Sequence, residues 1–266
     1  MLIPLANILT RFAKSTAYTS LFVAERYAIF AGVAWLLGYV IFKHSWFHRK
    51  IIPKFPTSSE IWREIRYSAL SAFIFGAVGA ATYQAIRLGW TKMYGHIGQY
   101  GWAWFWISIA CAIVLHDTYF YWTHRLMHHR LLFRAFHRTH HLSHNPSPWA
   151  AYAFSPLEAV VEAGIFPLSV FLMPMHPFAF AIFMVWQITF NIAGHTGYEI
   201  HPRWLMDSWI GRIVNTPTNH VMHHETLRGN YGLYFNVWDR LMGTNHSDYE
   251  TRFREVTSRV PASSKA

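Results

Sequence analysis

Cysteine and charge are what this sequence has least of. Of its 266 residues, one is a cysteine, Cys111, and only 14% are charged. A single cysteine excludes an internal disulfide and any metal site built from several thiolates. The charged fraction lies well below the roughly 25% of ordinary soluble domains, whereas hydrophobic residues make up 53% and aromatic residues 18%. The composition therefore predicts a membrane protein with a polar cap.

Acidic residues are also scarce. The chain has 13 of them against 23 lysines and arginines, which gives a formal net charge of +10. A basic balance suits either nucleic acid or an anionic membrane surface. For a chain this apolar the membrane is the simpler partner, and no nucleic-acid partner is expected.

Long apolar runs supply the candidate membrane spans. They cover residues 27–42, 67–86 and 101–115, and a further pair lies within 157–194, where Pro174 and Pro177 mark a turn. The pair is predicted to be a transmembrane hairpin. Before the first run, MLIPLANILTRFAKS has apolar residues at helical spacing and predicts a short interfacial helix. The tail after Val260 is predicted to be disordered, and no cleavable signal peptide is evident.

The basic residues orient these spans. Six lysines and arginines lie between the first two runs, in residues 43–66, whereas the loop after the second run has only Arg87 and Lys92. The excess of positive charge predicts that 43–66 is cytoplasmic. Two crossings later the chain returns to that face at Thr123, and the hairpin returns His195 there as well. All the clustered histidines are therefore expected on one side of the membrane.

Histidine is the abundant functional residue, with eighteen in the chain. The clustered ones form one H-x-x-x-H motif and two H-x-x-H-H motifs, and a single histidine precedes the last motif: His124, His128; His137, His140, His141; His220, His223, His224; and His195. On a helix, positions i, i+3 and i+4 share a face, while adjacent residues diverge by about 100°. Adjacent histidines can then serve two neighbouring metals. So many imidazoles exceed what one ion needs and predict a dinuclear, nitrogen-rich metal site.

Other polar residues are weaker candidates. His116 lies eight residues before His124, His144 follows His141 at i+3, and His201 follows His195 by six. Each is a possible ligand or a supporting residue. Asp117 lies seven residues before His124 and could orient a ligand's second ring nitrogen, or it could pair with Arg125 or Arg138. Five scattered histidines are expected to be structural: His44, His48, His96, His176 and His246.

The chain resembles the fatty acid hydroxylase/sterol desaturase superfamily of membrane di-iron oxygenases. The resemblance rests on DTYFYWTHRLMHH (117–129), FRAFHRTHHLSHNPSPWAAYAFSPLEA (133–159), GHTGYE (194–199) and NTPTNHVMHHETLRGNYGLYFNVWDRLMGT (215–244). The superfamily's first box falls on His124 and His128, and its second on His137, His140 and His141. Its single histidine falls on His195, and its last box on His220, His223 and His224.

The resemblance implies an all-α integral membrane bundle of about four transmembrane helices, with a cytosolic helical cap that holds the metal site. It implies residues 1–115 as an N-terminal membrane region, 116–250 as the catalytic region and 251–266 as a tail. It also implies two iron ions, O2 as co-substrate, and attack on an unactivated C–H bond of a lipid.

Details of the chain narrow these implications. No H-P-G-G haem motif is present, so electrons must come from a separate donor: a ferredoxin, a cytochrome b5-like protein or a reductase. A dilysine retrieval signal is missing, which favours a bacterial inner membrane over the endoplasmic reticulum. The stretch after the second box is most similar to the sterol C-5 desaturase branch, whereas NTPTNHVMHH also resembles alkylglycerol monooxygenases and bacterial relatives of unassigned substrate. Hydroxylation and desaturation both stay open.

Two other classes of function compete with the oxygenase. A zinc-dependent membrane hydrolase could use Glu225 as its general base, but H-E-x-x-H is lacking and the histidines are too many for one zinc. A metal or proton transporter could use histidines as a relay. A transporter of this kind needs polar residues within the membrane spans, whereas the histidine clusters lie beyond the spans.

Overall fold

The computed structural model describes residues 5–261, a range that contains α helices, short 3₁₀ turns and loops but no β strand. The helices are numbered in chain order as α1 (Leu5–Trp35), α2 (Ser58–Arg87), α3 (Gly101–Met127), α4 (Phe133–Phe136), α5 (Pro156–Ala163), α6 (Ile165–Leu172), α7 (Pro177–His195), α8 (Pro217–Thr226), α9 (Val237–Leu241) and α10 (Tyr249–Ser258). The predicted all-α fold is confirmed.

Four helices within residues 5–261 are long and apolar enough to cross a membrane. They cover Leu9–Ile41, Ser58–Arg87, Gly101–Met127 and Pro177–His195. A crossing needs about 20 residues, so the first three extend beyond the hydrocarbon layer unless they tilt. Large side chains such as Trp102 and Trp106 stay exposed on α3, as lipid-facing residues do. The chain is an integral membrane helical bundle, as expected.

The N-terminal segment and the first apolar run form one continuous helix. After Trp35 helix α1 continues as a π-helical turn over Leu36–Ile41. Residues 5–31 include no proline or glycine, so nothing interrupts the helix where the sequence predicted a separate interfacial element. Residues 1–4 of that predicted element lie outside the described part of the chain.

The first arm of the predicted hairpin is divided. It consists of α5 and α6, each of eight residues and therefore about 12 Å long, with a break at Gly164. A Cβ at Gly164 would lie 2.5 Å from the Tyr119 hydroxyl, so only glycine allows α3 to approach this break so closely. Helix α7 is the complete arm. It begins at Pro177, where the His176 side chain accepts a hydrogen bond from the Phe178 N–H.

An aromatic core joins the loop after the second histidine motif to the first two spans. Tyr27 stacks on Tyr152 with ring centroids 4.5 Å apart, and its hydroxyl donates to the Trp149 carbonyl at 2.7 Å. Phe75 of α2 packs edge-on against Tyr152 at 4.9 Å. The membrane bundle therefore fixes the loop that follows the second histidine motif.

The C-terminal segment is helical where it is described. Helix α10 covers much of the predicted tail, and its Tyr249 and Phe253 pack with Leu205, Met206 and Met222 in a small second core. Because these side chains bury apolar surface, the segment is ordered to Ser258. Of the tail predicted to be disordered, residues 262–266 lie outside the described range.

Candidate metal centre

The histidine motifs lie where the membrane helices end. His124 occupies the last turn of α3, His128 follows its final residue, and His195 is the last residue of α7. The third motif lies on α8, which starts at Pro217 and stops at Leu227, a left-handed residue with φ of 60°. The second motif differs from the helical expectation. It lies on the turn after α4 and on a short 3₁₀ segment, His140–Leu142.

The structure sorts nine histidines into two groups. Within each group one ring nitrogen of every histidine lies within 4.8 Å of the others. The five-histidine group is His124, His128, His137, His141 and His223, and the four-histidine group is His140, His195, His220 and His224. Together they comprise the nine residues of the sequence motifs, and all except His128 are buried.

Adjacent histidines belong to different groups. His140 and His141 divide between the two, as do His223 and His224. On α8 the angle of about 100° between neighbours accounts for this, while the i+4 partner His220 stays with His224. The H-x-x-H-H spacing thus supplies both groups from one segment.

Backbone carbonyls fix which nitrogen of several rings carries the proton. The Nδ1–H of His124 donates to the Tyr231 carbonyl at 2.9 Å, that of His195 to Asn191 at 2.7 Å, and that of His223 to Gly229 at 2.7 Å. A carbonyl only accepts, so Nδ1 must carry the hydrogen. In a neutral ring the Nε2 atom then has a free lone pair, and it is Nε2 that points into the group.

These lone pairs face one another. Nε2 of His124 is 2.8 Å from Nε2 of His137, whose own Nδ1 is paired with the Glu158 carboxylate. In the other group Nε2 of His220 is 2.9 Å from Nε2 of His195. When each of two neutral rings carries its single N–H proton on Nδ1, neither Nε2 atom has a hydrogen to donate to the other. A cation among the nitrogens removes the repulsion, so the donor set fits metal ions in both groups.

Burial keeps these rings neutral. It lowers the pKa of His137, His140, His220 and His224 well below the ordinary value, and neighbouring imidazoles lower each pKa further. Burial also lowers the pKa of the less enclosed His128 to about 4. Metal binding requires unprotonated imidazole, which is therefore the form present at neutral pH.

The three weaker histidine candidates lie outside both groups. His116 Nδ1 is 2.8 Å from the Tyr234 hydroxyl, and His201 Nδ1 is 2.9 Å from a Glu199 carboxylate oxygen. His144 donates from Nδ1 to the backbone carbonyl of His224 at 3.3 Å. His144 therefore contacts the backbone of α8 and not the ring of a grouped histidine.

Asp117 supports the site through the chain rather than through a ring. Its carboxylate accepts hydrogen bonds from the backbone N–H of Tyr234 at 2.8 Å and of Phe235 at 3.1 Å. Nearby, Asp239 accepts from the N–H of Tyr231 at 2.9 Å. The two carboxylates thus hold the loop that presents the Tyr231 carbonyl to His124.

Glu158 is a site residue that the histidine motifs do not reveal. It lies in an apolar run, and the structure pairs its carboxylate with His137 Nδ1. A buried acid in such a run is itself the available signal, because it needs a partner. The orienting carbonyls of Tyr231, Asn191 and Gly229 have no signal of their own in the sequence.

The two groups differ in their exposure to a neighbouring cleft. A cleft of about 160 Å³ is lined by His195 and His220 of the four-histidine group, together with Thr189, Phe190 and Leu233.

Glu225, the candidate general base of a hydrolase, is exposed and lies 3.9 Å from Arg252 of α10. The cleft therefore leads to imidazoles and not to that carboxylate.

Comparison with known proteins gives a consistent picture. The model of the fatty acid hydroxylase family matches residues 109–244. The Delta(7)-sterol 5(6)-desaturase ERG3B of Gibberella zeae is 30% identical over 73% of this chain, and the match covers 58% of the fungal protein. Lathosterol oxidase of Homo sapiens is 26% identical over 84% of this chain and 73% of its own length. No solved structure matches the chain.

Proposed function

This chain belongs to the fatty acid hydroxylase family, and we propose that it is a membrane-bound, O2-dependent oxidoreductase that attacks an unactivated C–H bond of a lipid. The observation that supports this most strongly is the pair of histidine groups, whose inward Nε2 atoms provide five and four neutral nitrogen donors. Such a set suits two transition-metal ions. Thiolate ligands would favour other metals, and only Cys111 is available in the chain.

We assign the nine grouped histidines as ligands of two iron ions. When bound, the irons would supply the oxygen activation and electron transfer that no side chain can provide. The protein's own residues have a different task. Tyr231, Asn191 and Gly229 hold three rings through their carbonyls, and the Glu158 carboxylate accepts a hydrogen bond from His137 Nδ1–H, so the donor atoms stay aimed inward.

The lipid class follows from the position of the site and from the relatives. The groups lie at the ends of α3 and α7, where a lipid leaving the bilayer meets them, and the six positive charges of 43–66 favour the cytoplasmic face. The named relatives act on Delta(7)-sterols or lathosterol. We propose a sterol-like or fatty-acyl lipid as substrate, with either loss of two hydrogens or insertion of a hydroxyl as the outcome.

A separate protein is proposed to deliver electrons. Arg130 and Arg134 are exposed between the first two histidine motifs, and Arg138 is exposed within the second. Their charge suits an acidic donor such as a ferredoxin or a cytochrome b5-like protein. We take residues 116–250 as the catalytic region, which the family match over 109–244 supports. A bacterial inner membrane remains our proposed location.

Metal content per chain is the decisive measurement. The protein is purified in mild detergent from iron-supplied cells, and the metals are quantified beside its turnover of a Delta(7)-sterol with O2 and a chemical reductant. We expect about two irons per chain, as the two groups predict, and turnover that depends on oxygen. The matched variants are His223→Ala from the five-histidine group and His246→Ala from outside both groups.

The outcomes separate the candidate functions. A single zinc, or a folded protein without metal that still acts, would favour the hydrolase or the relay and overturn the oxygenase. Two zincs would keep the dinuclear site but point to mis-metallation, because nitrogen ligands accept both metals. Full oxygen-dependent turnover in the His223→Ala variant would show that the ligand assignment is wrong.

A further inference from the structure

The segment of residues 200–213, which follows α7, has an unusual surface. Its inward side chains, Leu205 and Met206, are buried against Tyr249 and Phe253. Its outward side is nevertheless also apolar: Ile200 is 53% exposed, Trp204 61% and Trp209 72%. A short segment with two apolar sides needs a second apolar environment besides its own core.

Charge accompanies these exposed side chains. Arg203 and Arg212 are exposed beside the tryptophans. The acidic residue of the segment, Asp207, is paired with Arg254 at 2.6 Å, so its charge is offset locally. The outward surface is thus aromatic, aliphatic and cationic.

This surface lies beside the end of a membrane span. His195 closes both α7 and the span, and Ile200 follows only five residues later, within about 17 Å of extended chain. Tryptophan is enriched at membrane–water boundaries, and arginine near them attracts anionic headgroups. Position, aromatic content and charge all fit the surface of a bilayer.

The same segment borders the cleft on the four-histidine group. Ile200 and His201 line the cleft together with Thr189 and Phe190 of α7. Thr189 is exposed on the membrane span. Six residues separate it from His195, about 9 Å along the helix axis. The cleft therefore connects a lipid-facing position with imidazoles of the metal centre.

We propose that this cleft is a lateral port through which part of a bilayer lipid reaches the four-histidine group, and that residues 200–213 are an interfacial anchor that holds the port at the membrane surface. The identity of the lipid rests on the proposed function, whereas the anchor and the port are tested by location and by binding. The mouth is lined mainly by apolar and uncharged polar side chains, which suits a hydrocarbon chain or ring.

The anchor is tested by the depth of a fluorescent label. The single cysteine allows a Cys111→Ser background, into which Trp209→Cys is introduced and labelled with an NBD fluorophore. The matched control is Ser247→Cys, an exposed position in the loop before α10. In phosphatidylcholine vesicles with and without phosphatidylserine, we expect blue-shifted emission and quenching by lipid-borne nitroxide at 209. Position 247 should keep the emission of a label in water.

The port is tested by filling it. Thr189→Trp places an indole at its mouth, and Ile182→Trp is the control two turns earlier on the same exposed face of α7. A photoreactive Delta(7)-sterol in vesicles should crosslink to the 189–195 region of the parent protein and of the control. In the Thr189→Trp variant we expect about tenfold less crosslinking and a similar fall in kcat/KM, with metal content unchanged.

Each result decides a separate point. Water-like emission at 209 would overturn the anchor. In that case, a protein-docking site would be indicated if Arg203→Glu raised the concentration of electron donor needed for half-maximal turnover. Crosslinking unaffected by Thr189→Trp would overturn the port. A parent protein that binds the sterol at 189–195 but turns over no lipid would contradict the proposed function and leave the port intact.

Discussion

The two histidine groups are held in different ways. In the five-histidine group, His124 and His223 donate to backbone carbonyls and His137 pairs with the buried Glu158. In the four-histidine group the carbonyl of Asn191 orients His195. Within residues 5–261, the buried Nδ1 atoms of His140 and His224 have no hydrogen-bond partner, whereas in the five-histidine group this holds for His141 alone.

The two histidine groups also differ in their position relative to the cleft. Residues of the four-histidine group line the cleft, whereas residues of the five-histidine group do not line it. Ring-orienting partners raise ligand basicity and fix geometry. We infer that the five-histidine group binds its metal more firmly and that the four-histidine group is the one that meets substrate.

Removing a ligand should have the largest effect in either group. We expect His223→Ala and His140→Ala each to abolish turnover, by about a thousandfold or more, because a missing nitrogen leaves a metal with incomplete coordination. Metal analysis and sterol turnover measure this, and reconstitution into vesicles checks that the variants still insert. The difference between the two histidine groups would be clearest if His223→Ala loses both metals and His140→Ala loses one.

Glu158→Gln tests the carboxylate that only the five-histidine group has. Glutamine can still accept the Nδ1–H of His137, so orientation is kept while the negative charge is lost. We expect metal affinity to fall about 10–100-fold, as for other residues that support a ligand. Glu225→Gln, on the surface, is the control. Equal metal retention in both variants would show that the carboxylate contributes nothing.

Chelation should distinguish the groups without mutation. During titration with a strong chelator at neutral pH, we expect metal to leave in two phases of about one ion each, because one group has more orienting partners and is farther from the cleft. The first phase should slow in Thr189→Trp, whose side chain blocks access to the four-histidine group. Release of both metals in a single phase would contradict the difference in stability proposed for the groups.

Much of the site is local in sequence and could therefore be predicted. The motif spacing indicates that adjacent histidines can serve two neighbouring metals, and α8 does divide His223 from His224 between the groups. The apolar runs likewise predict the spans α2, α3 and α7. Asp117 was expected beside a ligand but holds the backbone of Tyr234 and Phe235, which are more than 110 residues away.

What could not be predicted depends on contacts between distant residues. Glu158 becomes a partner of His137 only because α5 folds back against the second motif. The division of the hairpin at Gly164 depends on the Tyr119 hydroxyl of another helix. The second motif lies on a turn and a short 3₁₀ segment rather than on a helix, an arrangement that the spacing of its histidines does not indicate.

The smallest expected effect on turnover concerns the support of the four-histidine group. Lys50 is buried among the rings of Tyr39, Phe55 and Tyr198, and its Nζ donates to the Tyr39 hydroxyl at 3.2 Å. That hydroxyl donates to the Thr196 carbonyl at 2.8 Å, one residue beyond His195. Here a buried amine supports the turn that follows a ligand, whereas the five-histidine group has the carboxylate of Glu158.

Burial lowers the pKa of Lys50 to about 7, against the opposing charge of Glu64. The unfolded chain keeps its proton up to the ordinary pKa of 10.5, so between these values it binds more protons than the folded protein. The free energy of unfolding therefore rises with pH across this window, by at most a few kcal/mol, and this contribution is level below pH 7, where both states are protonated. We expect Lys50→Met to flatten this rise in thermal unfolding scans from pH 7 to 10 and to change turnover no more than a few-fold. An unchanged slope would mean that the amine is solvated, and the contrast between the two supports would then fail.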